Sequence, residues 1–384
     1  MRILILHSRY LSGVVSGENR VVEDEARLLR DAGHDVWVLA PSPHADGTSA
    51  RIRAGASAIR SADAARRVSE LVRSRAIDVV HVHNLFPTLS PGVLPAAADA
   101  GAAVVMTLHN YRLMCLPATF LRDGGLCEAC LGHVPWRGVV HRCYRGSILG
   151  SGALAASLSV HRALGTFERV TRYLAVSEFV RRKHIEGGID PHRIAVKGNF
   201  TWPGRGRRGA GEYFLFLGRL SPEKGVDTLL EAWRRDGGLG RLVVVGDGPE
   251  GAALRRSAPV GVEFYGEVPP ADVPEILSRA RALLVPSRWY EASPRTIIEA
   301  YASGIPVVAS RIGALPEAVD EDCSGHLVTV DDAAAWARAA ARLLDPGESR
   351  RLGEGARRRW RERHSPEAGL VALEDAYRDA MARR

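Results

Sequence analysis

Val285-Pro286-Ser287-Arg288-Trp289-Tyr290-Glu291-Ala292-Ser293-Pro294-Arg295-Thr296-Ile297-Ile298-Glu299 is the stretch around which the rest of the chain can be organised. Ala282–Val285 is an apolar run stopped by Pro286, as a buried strand would be. A polar loop follows, and Ser293-Pro294 then opens the apolar helix Thr296–Ser303, with Ser at the N-cap and Pro at the first helical position. A helix start at the carboxyl edge of a sheet offers free N–H groups and a positive dipole end, where a phosphate can sit. Glu291 in the loop and Glu299 in the helix are poor phosphate ligands but good acceptors for sugar hydroxyls. The alternative is an ordinary strand–turn–helix carrying surface glutamates.

Outward from this stretch the same unit recurs. Strands are expected at 2–6, 35–40, 77–83, 103–108 and 172–176, with helices at 17–32, 61–75 and 90–100 and another opened by Ser177. The polar, Gly/Arg-rich stretch Gly198–Gly211 interrupts the alternation and marks a linker at 201–211. Alternation restarts at Tyr213–Leu217 and continues through strands at 241–245, 262–265, 282–285, 306–309 and 326–328. Such repetition implies α/β architecture with parallel sheets covered by helices on both faces. We therefore expect two doubly wound domains, 1–200 and 212–365, facing each other across a cleft. A closing helix over 366–384 is expected to pack back towards the first.

A chain of 384 residues suits two domains, and 46% hydrophobic with 25% charged residues are globular values. The net charge of +8 rests on arginine, because Lys183, Lys197 and Lys224 are the only lysines. It fits an anionic small substrate, nucleic acid or an anionic membrane surface. No aromatic interleaving supports base stacking, so nucleic acid is not expected as a partner. No cleavable leader is read, and the longest weakly polar run, Ser147–Val160, is too short to span a bilayer. A cytoplasmic location follows, with association at the inner face of the membrane left open.

Further residues collect at strand ends. Gly17 precedes a helix and would let the backbone approach a phosphate. Its spacing matches neither the three-glycine dinucleotide pattern nor a Walker loop. His109 ends one strand and His81 and His83 end its neighbour, so several imidazoles meet on one edge. Arg219 and Lys224 project from the loop after Tyr213–Leu217, a fork and a point charge suited to a diphosphate. Cys115, Cys127, Cys130 and Cys143 fall in one segment, 115–143. This spacing suits a structural zinc, with free thiols or redox pairing as the alternative. Asp320-Glu321-Asp322 sits in a turn and is no catalytic metal pair.

Together, Gly218-Arg219 with Glu223-Lys224-Gly225, Gly246-Asp247-Gly248-Pro249, Glu291 and Glu299 with seven residues between them, and Ala302–Ser310 resemble the family 4 glycosyltransferases. Ala32-Gly33-His34, Thr107–Asn110 and Val176–Glu178 fit the same family across the first half. The resemblance implies a GT-B fold and a retaining hexosyltransferase-type enzyme that needs no catalytic cofactor. It would move a sugar from a nucleoside-diphosphate sugar, UDP favoured over GDP, to a hydroxyl of a metabolite, natural product, or lipid or polysaccharide intermediate. It implies that Arg219 and Lys224 hold the diphosphate and stabilise its departure, Glu291 contacts sugar hydroxyls and Glu299 the ribose. Ser293, Pro294, Arg295 and Thr296 would meet the distal phosphate or sugar. Gly17 would approach the diphosphate, and His109 would lie near the anomeric carbon. The chain departs from the family at Ser16-Gly17, where paired glycines are common, and at Ala292-Ser293-Pro294, where Gly-Phe-Gly is common. A nucleotide-sugar epimerase of the same fold and a zinc-containing nucleic-acid binder are the alternatives.

Overall fold

The computed structural model describes residues 1–9, 17–42 and 61–384. They form two compact units, one of residues 1–122, 127–197 and 370–384, the other of residues 123–126 and 198–369.

Unit 1 runs β1 (Arg2–His7), α1 (Gly17–Asp31), β2 (Asp35–Leu39), α2 (Ala62–Arg75), β3 (Val79–Asn84), α3 (Val93–Asp99) and β4 (Ala103–Leu108). Two consecutive helices, α4 (Trp136–Val140) and α5 (Ile148–Ala163), precede β5 (Arg172–Ala175), α6 (Glu178–Glu186) and β6 (Ile194–Val196). The strands are parallel in the order β2-β1-β3-β4-β5-β6. Every residue of β3 and β4 is buried, as expected of central parallel strands covered on both faces.

Unit 2 repeats the plan with β7 (Tyr213–Leu217), α7 (Val226–Arg235), β8 (Leu242–Val245), α8 (Gly251–Arg256), β9 (Val262–Gly266), α9 (Val273–Arg279) and β10 (Ala280–Val285). It continues through α10 (Arg295–Ala302), β11 (Val307–Ser310), α11 (Leu315–Ala318), β12 (Gly325–Val328), α12 (Ala333–Arg342) and α13 (Pro346–Arg363). The parallel order is β9-β8-β7-β10-β11-β12. Strand β7 shows why the sheet needs two covering layers. Phe214 and Phe216 pack with Trp233 and Trp336, whereas Tyr213 and Leu215 pack with Ile297, Tyr301 and Trp360. Two six-stranded parallel domains are the GT-B arrangement expected from the sequence.

Two details differ from the sequence reading. First, the stretch read as a linker is bound along unit 2. Thr201 N–H donates to His364 O, Gly204 N–H to Ala302 O and Arg208 N–H to Ser278 O. Half-buried Arg207 bonds the Ser349 carbonyl and hydroxyl, and burial pulls its pKa down to about 10. Polar composition marked a loop, but its arginines supply partners that hold it down. Second, Pro294 rather than Ser293 is the N-cap of α10, in extended backbone at ψ 115°, and no side chain caps this end. The closing helix α14 (Pro366–Ala382) belongs to unit 1 from residue 370 onward, the side towards which it was expected to pack. There Glu374 meets His34 at 2.9 Å, Asp379 meets Arg172 at 3.1 Å, and Tyr377 Oη lies 2.8 Å from His81 Nδ1.

Candidate functional site

In unit 2 the strand order turns around between β7 and β10, which are hydrogen-bonded neighbours. The loops leaving such a pair diverge to opposite sides of the sheet and open a crevice at the carboxyl edge, where α/β sheets bind ligands. The loop after β7 carries Arg219 and Lys224, and the loop after β10 carries Glu291 and Ser293. Their seam is tight. Gly225 has φ +68°, and a Cβ there would lie 2.1 Å from Pro286 O. Arg288 N–H donates to Glu223 O, and Ala314 N–H to Glu291 O.

At the seam Lys224 Nζ donates to Glu291 Oε1 at 2.6 Å, and Ser287 Oγ donates to the same oxygen at 2.7 Å. The Lys224 ammonium also lies 5.1 Å from the Trp289 ring centroid, a cation–π distance. Burial pushes the Glu291 carboxyl up, but the Lys224 charge and these hydrogen bonds outweigh it and hold the carboxyl below its ordinary range. Lys224 keeps 24% of its side chain exposed. An ammonium has three donors, so it can keep Glu291 and still bind an incoming anion. Arg219 is exposed, with its guanidinium making no hydrogen bond or ion pair among the described residues.

Along α10, Arg295 Nε donates to Glu299 Oε1 at 2.9 Å, an i,i+4 pair near the helix start. Glu299 is thus oriented by Arg295, which the sequence reading placed beside a phosphate. Pro294 and Thr296 flank this pair at the uncapped helix end. The structure gathers Lys224 and Glu291 directly, and carries Arg219, Ser293, Pro294, Arg295, Thr296 and Glu299 on the same two loops and helix end.

Unit 1 holds a second polar cluster. His7, His81, His83 and His109 stand on or just after β1, β3 and β4, and His83 Nδ1 lies 2.8 Å from His109 Nε2 with the rings stacked. His81 bonds Tyr377 Oη through Nδ1 and Thr107 Oγ1 through Nε2. Beneath them Lys197 pairs with Glu25, whose Oε2 lies 3.4 Å from His83 Nε2. Burial would raise the Glu25 carboxyl, but Lys197 and His81 hold it below its ordinary range. Burial lowers His81 and His83 well below the usual imidazole value, and lowers His109 as well. Glu25, His81 and His83 are close enough to share a metal. The ammonium on Glu25 and the two occupied nitrogens of His81 fit a hydrogen-bonded cluster better than a ligand set. Gly17 begins α1, and its neighbour Glu18 accepts from Asn110 Nδ2 at 2.7 Å, which ties this helix start to the residue after His109. Ser16 lies outside the described residues.

Sequence reading found His81, His83 and His109 but missed Glu25, Lys197 and Tyr377. Glu25 sits on the apolar face of α1, between Val22, Ala26, Leu28 and Leu29. A carboxylate at a core position was the available signal.

Cys115 and Cys127 each lie near enough to Cys130 for their charges to interact, but the four cysteines do not close into one tight ligand set. Among the described residues, the groups with three ligand atoms inside 4.8 Å of one another are Glu25–His81–His83 and Asp322–His326–Glu348, neither of which includes Cys115, Cys127, Cys130 or Cys143.

Comparison with known proteins supports the fold and its class. A sequence profile described as Glycosyltransferase Family 4 matches residues 15–201, and one described as Glycosyl transferases group 1 matches residues 211–346. The D-inositol 3-phosphate glycosyltransferase of Saccharomonospora viridis is 38% identical over 184 residues, 44% of this chain and 42% of that protein. The enzyme of that name from Corynebacterium glutamicum is 35% identical over 224 residues, 50% of this chain and 53% of that protein. The chain thus spans about half the length of these curated relatives. Among solved structures, HepE of Anabaena in complex with UDP superposes with TM-score 0.68 at 17% identity, over 98% of this chain and 99% of that one. Sucrose-phosphate synthase of Thermosynechococcus elongatus gives 0.71 at 18%, covering both chains fully.

Proposed function

Because the chain belongs to the family 4 glycosyltransferases, we propose that it is a retaining glycosyltransferase and that the β7–β10 crevice of unit 2 binds its nucleoside-diphosphate sugar. The half-open Lys224–Glu291 pair carries this reading, with Arg219 on the same loop. When the bond between the anomeric carbon and the phosphate oxygen breaks, the electron pair moves onto the departing diphosphate. Arg219 and Lys224 are fixed cations for that charge, and preorganised charge stabilisation is commonly the largest catalytic contribution. Glu291, held ionised by Lys224 and Ser287, accepts sugar hydroxyls. Glu299, oriented by Arg295, accepts from the ribose. Ser293, Pro294 and Thr296 offer main-chain groups to the distal phosphate or sugar. UDP is the favoured nucleotide, since HepE was solved with UDP and with UDP-glucose.

The deciding experiment is a thermal-shift panel of nucleoside diphosphates and their sugars, because ligand binding raises the melting temperature by mass action. UDP should stabilise the wild type and fail to stabilise Lys224→Ala. No stabilisation by any nucleotide would overturn the site. A donor-only incubation with product analysis separates transfer from epimerisation.

We also propose a structural zinc on Cys115, Cys127, Cys130 and Cys143, apart from the chemistry. Burial pushes the Cys115 and Cys130 thiols up, and the support is geometric: the backbone amides of Ala118, Thr119 and Phe120 face the Cys115 sulfur and that of Gly138 faces Cys130, donors that a metal-bound thiolate could use. Metal analysis should read about one zinc per chain. None would remove the proposal.

A further inference from the structure

Helix α5 breaks the usual rule for a surface helix. Its inner face buries Leu154, Ala155 and Leu158 together with Ser151, Ser157 and His161. The opposite, exposed face should then be polar. Instead it presents Leu149, Ala156, Val160 and Ala163, spaced so that they fall on one side of the helix. Leu149 is 84% exposed, and Leu164, just past the end of the helix, is 71% exposed. The preceding helix α4 packs beside α5 and adds Trp136 and Val140, one turn apart and 57% and 64% exposed. An exposed face this apolar calls for a covering apolar phase.

Charge identifies that phase. Between Glu128 and Glu168 the sequence holds no aspartate or glutamate. Arg137, Arg142 and Arg145 are exposed around α4 and the start of α5. Apolar side chains bordered by arginine, on a segment that carries no carboxylate of its own, match the interface of an anionic bilayer. A second copy of this chain fits worse, because a two-fold contact would bring the same arginines face to face. None of the helices among the described residues is long and apolar enough to cross a membrane, so α5 would lie on the surface rather than span it.

We propose that the α4–α5 face of unit 1 docks this protein on an anionic lipid surface, with Trp136, Val140, Leu149 and Val160 entering the interface and Arg137, Arg142 and Arg145 meeting the lipid phosphates. The proposal stands independently of the transfer reaction.

Cosedimentation of the full chain tests it, using vesicles of phosphatidylcholine alone and vesicles doped with phosphatidylglycerol. The wild type should pellet with the doped vesicles at low salt, stay in the supernatant with phosphatidylcholine alone, and be released as salt shortens the range of the attraction. Leu149→Glu and Val160→Glu should each weaken binding about tenfold through lost apolar burial. Arg137→Ala and Arg142→Ala should each cost about fivefold. All four sites face solvent, so these variants should melt with the wild type. Three results would overturn the proposal: no pelleting of the wild type, variants that pellet as strongly as it does, or a wild-type dimer in sedimentation velocity that Val160→Glu dissolves.

Discussion

All three lysines of the chain end on glutamate, Lys183 between Glu128 and Glu186, and the contrast lies between the other two, one in each unit. Lys197 meets Glu25 with side-chain exposures of 2% and 0%, and Lys224 meets Glu291 with 24% and 8%. The first pair is sealed under β3 and contacts His83 and His81. The second sits at the mouth of the β7–β10 crevice with donors of its ammonium to spare. The same two residue types serve different ends because water reaches only one pair. A sealed ion pair cannot trade its partner for a ligand, so its role is to hold structure. A half-open pair can share its cation, which suits it to the binding role proposed for it.

Breaking the sealed pair should have the largest effect on stability. Lys197→Met strands a buried carboxylate, and chemical denaturation followed by a unit 1 reporter should show a loss of about 3–5 kcal/mol. The double variant Glu25→Leu/Lys197→Met should recover most of that loss, since a buried pair replaced by apolar side chains is often neutral. If the double variant is no better than the single, the pair is not the reason for the loss.

At the open pair the same change should divide differently. Glu291→Ala should leave the melting temperature within a few degrees of the wild type, because solvent reaches Lys224, and Lys224→Ala should cost less than Lys197→Met, because Ser287 still donates to Glu291. Transfer should nevertheless fall about 10²–10³-fold in kcat for Lys224→Ala, the usual cost of one preorganised donor to developing charge. Retained turnover in either variant would remove the crevice from the chemistry.

The smallest effect concerns acid, and it treats the two units alike. Burial holds His184 of unit 1 and His364 of unit 2 neutral, each pulled down to about 4. Below pH 6.5 the unfolded chain takes up protons that these folded imidazoles refuse, so stability falls as pH drops from 6.5 towards 4. At pH 5.5 each should cost on the order of 1 kcal/mol, read as a falling midpoint in denaturant titrations. His184→Phe should flatten the slope of unit 1 and leave that of unit 2 unchanged.

Much of this molecule is written locally. The strand 213–217, the turn at Gly218–Gly225 and the Glu291–Glu299 interval need only neighbouring residues to be recognised, since apolar periodicity and turn chemistry act over a few positions. Even the error at Ser293 is local, a choice between adjacent residues for one helix cap. The closing helix was legible as a helix for the same reason, though its partners His34, His81 and Arg172 were not.

The sequence by itself determined the parallel α/β class, the two-fold repetition of the plan and the residues most able to hold a nucleotide sugar. Each follows from spacing along the chain. Only the tertiary structure decided that β7 and β10 are neighbours, and hence that Lys224 reaches Glu291. It also decided that Glu25, His81, Lys197 and Tyr377 share one buried cluster, and that the outer face of α5 is uncovered. Strand order, burial and exposure arise from contacts between distant segments, and local propensity carries no record of which segments those are.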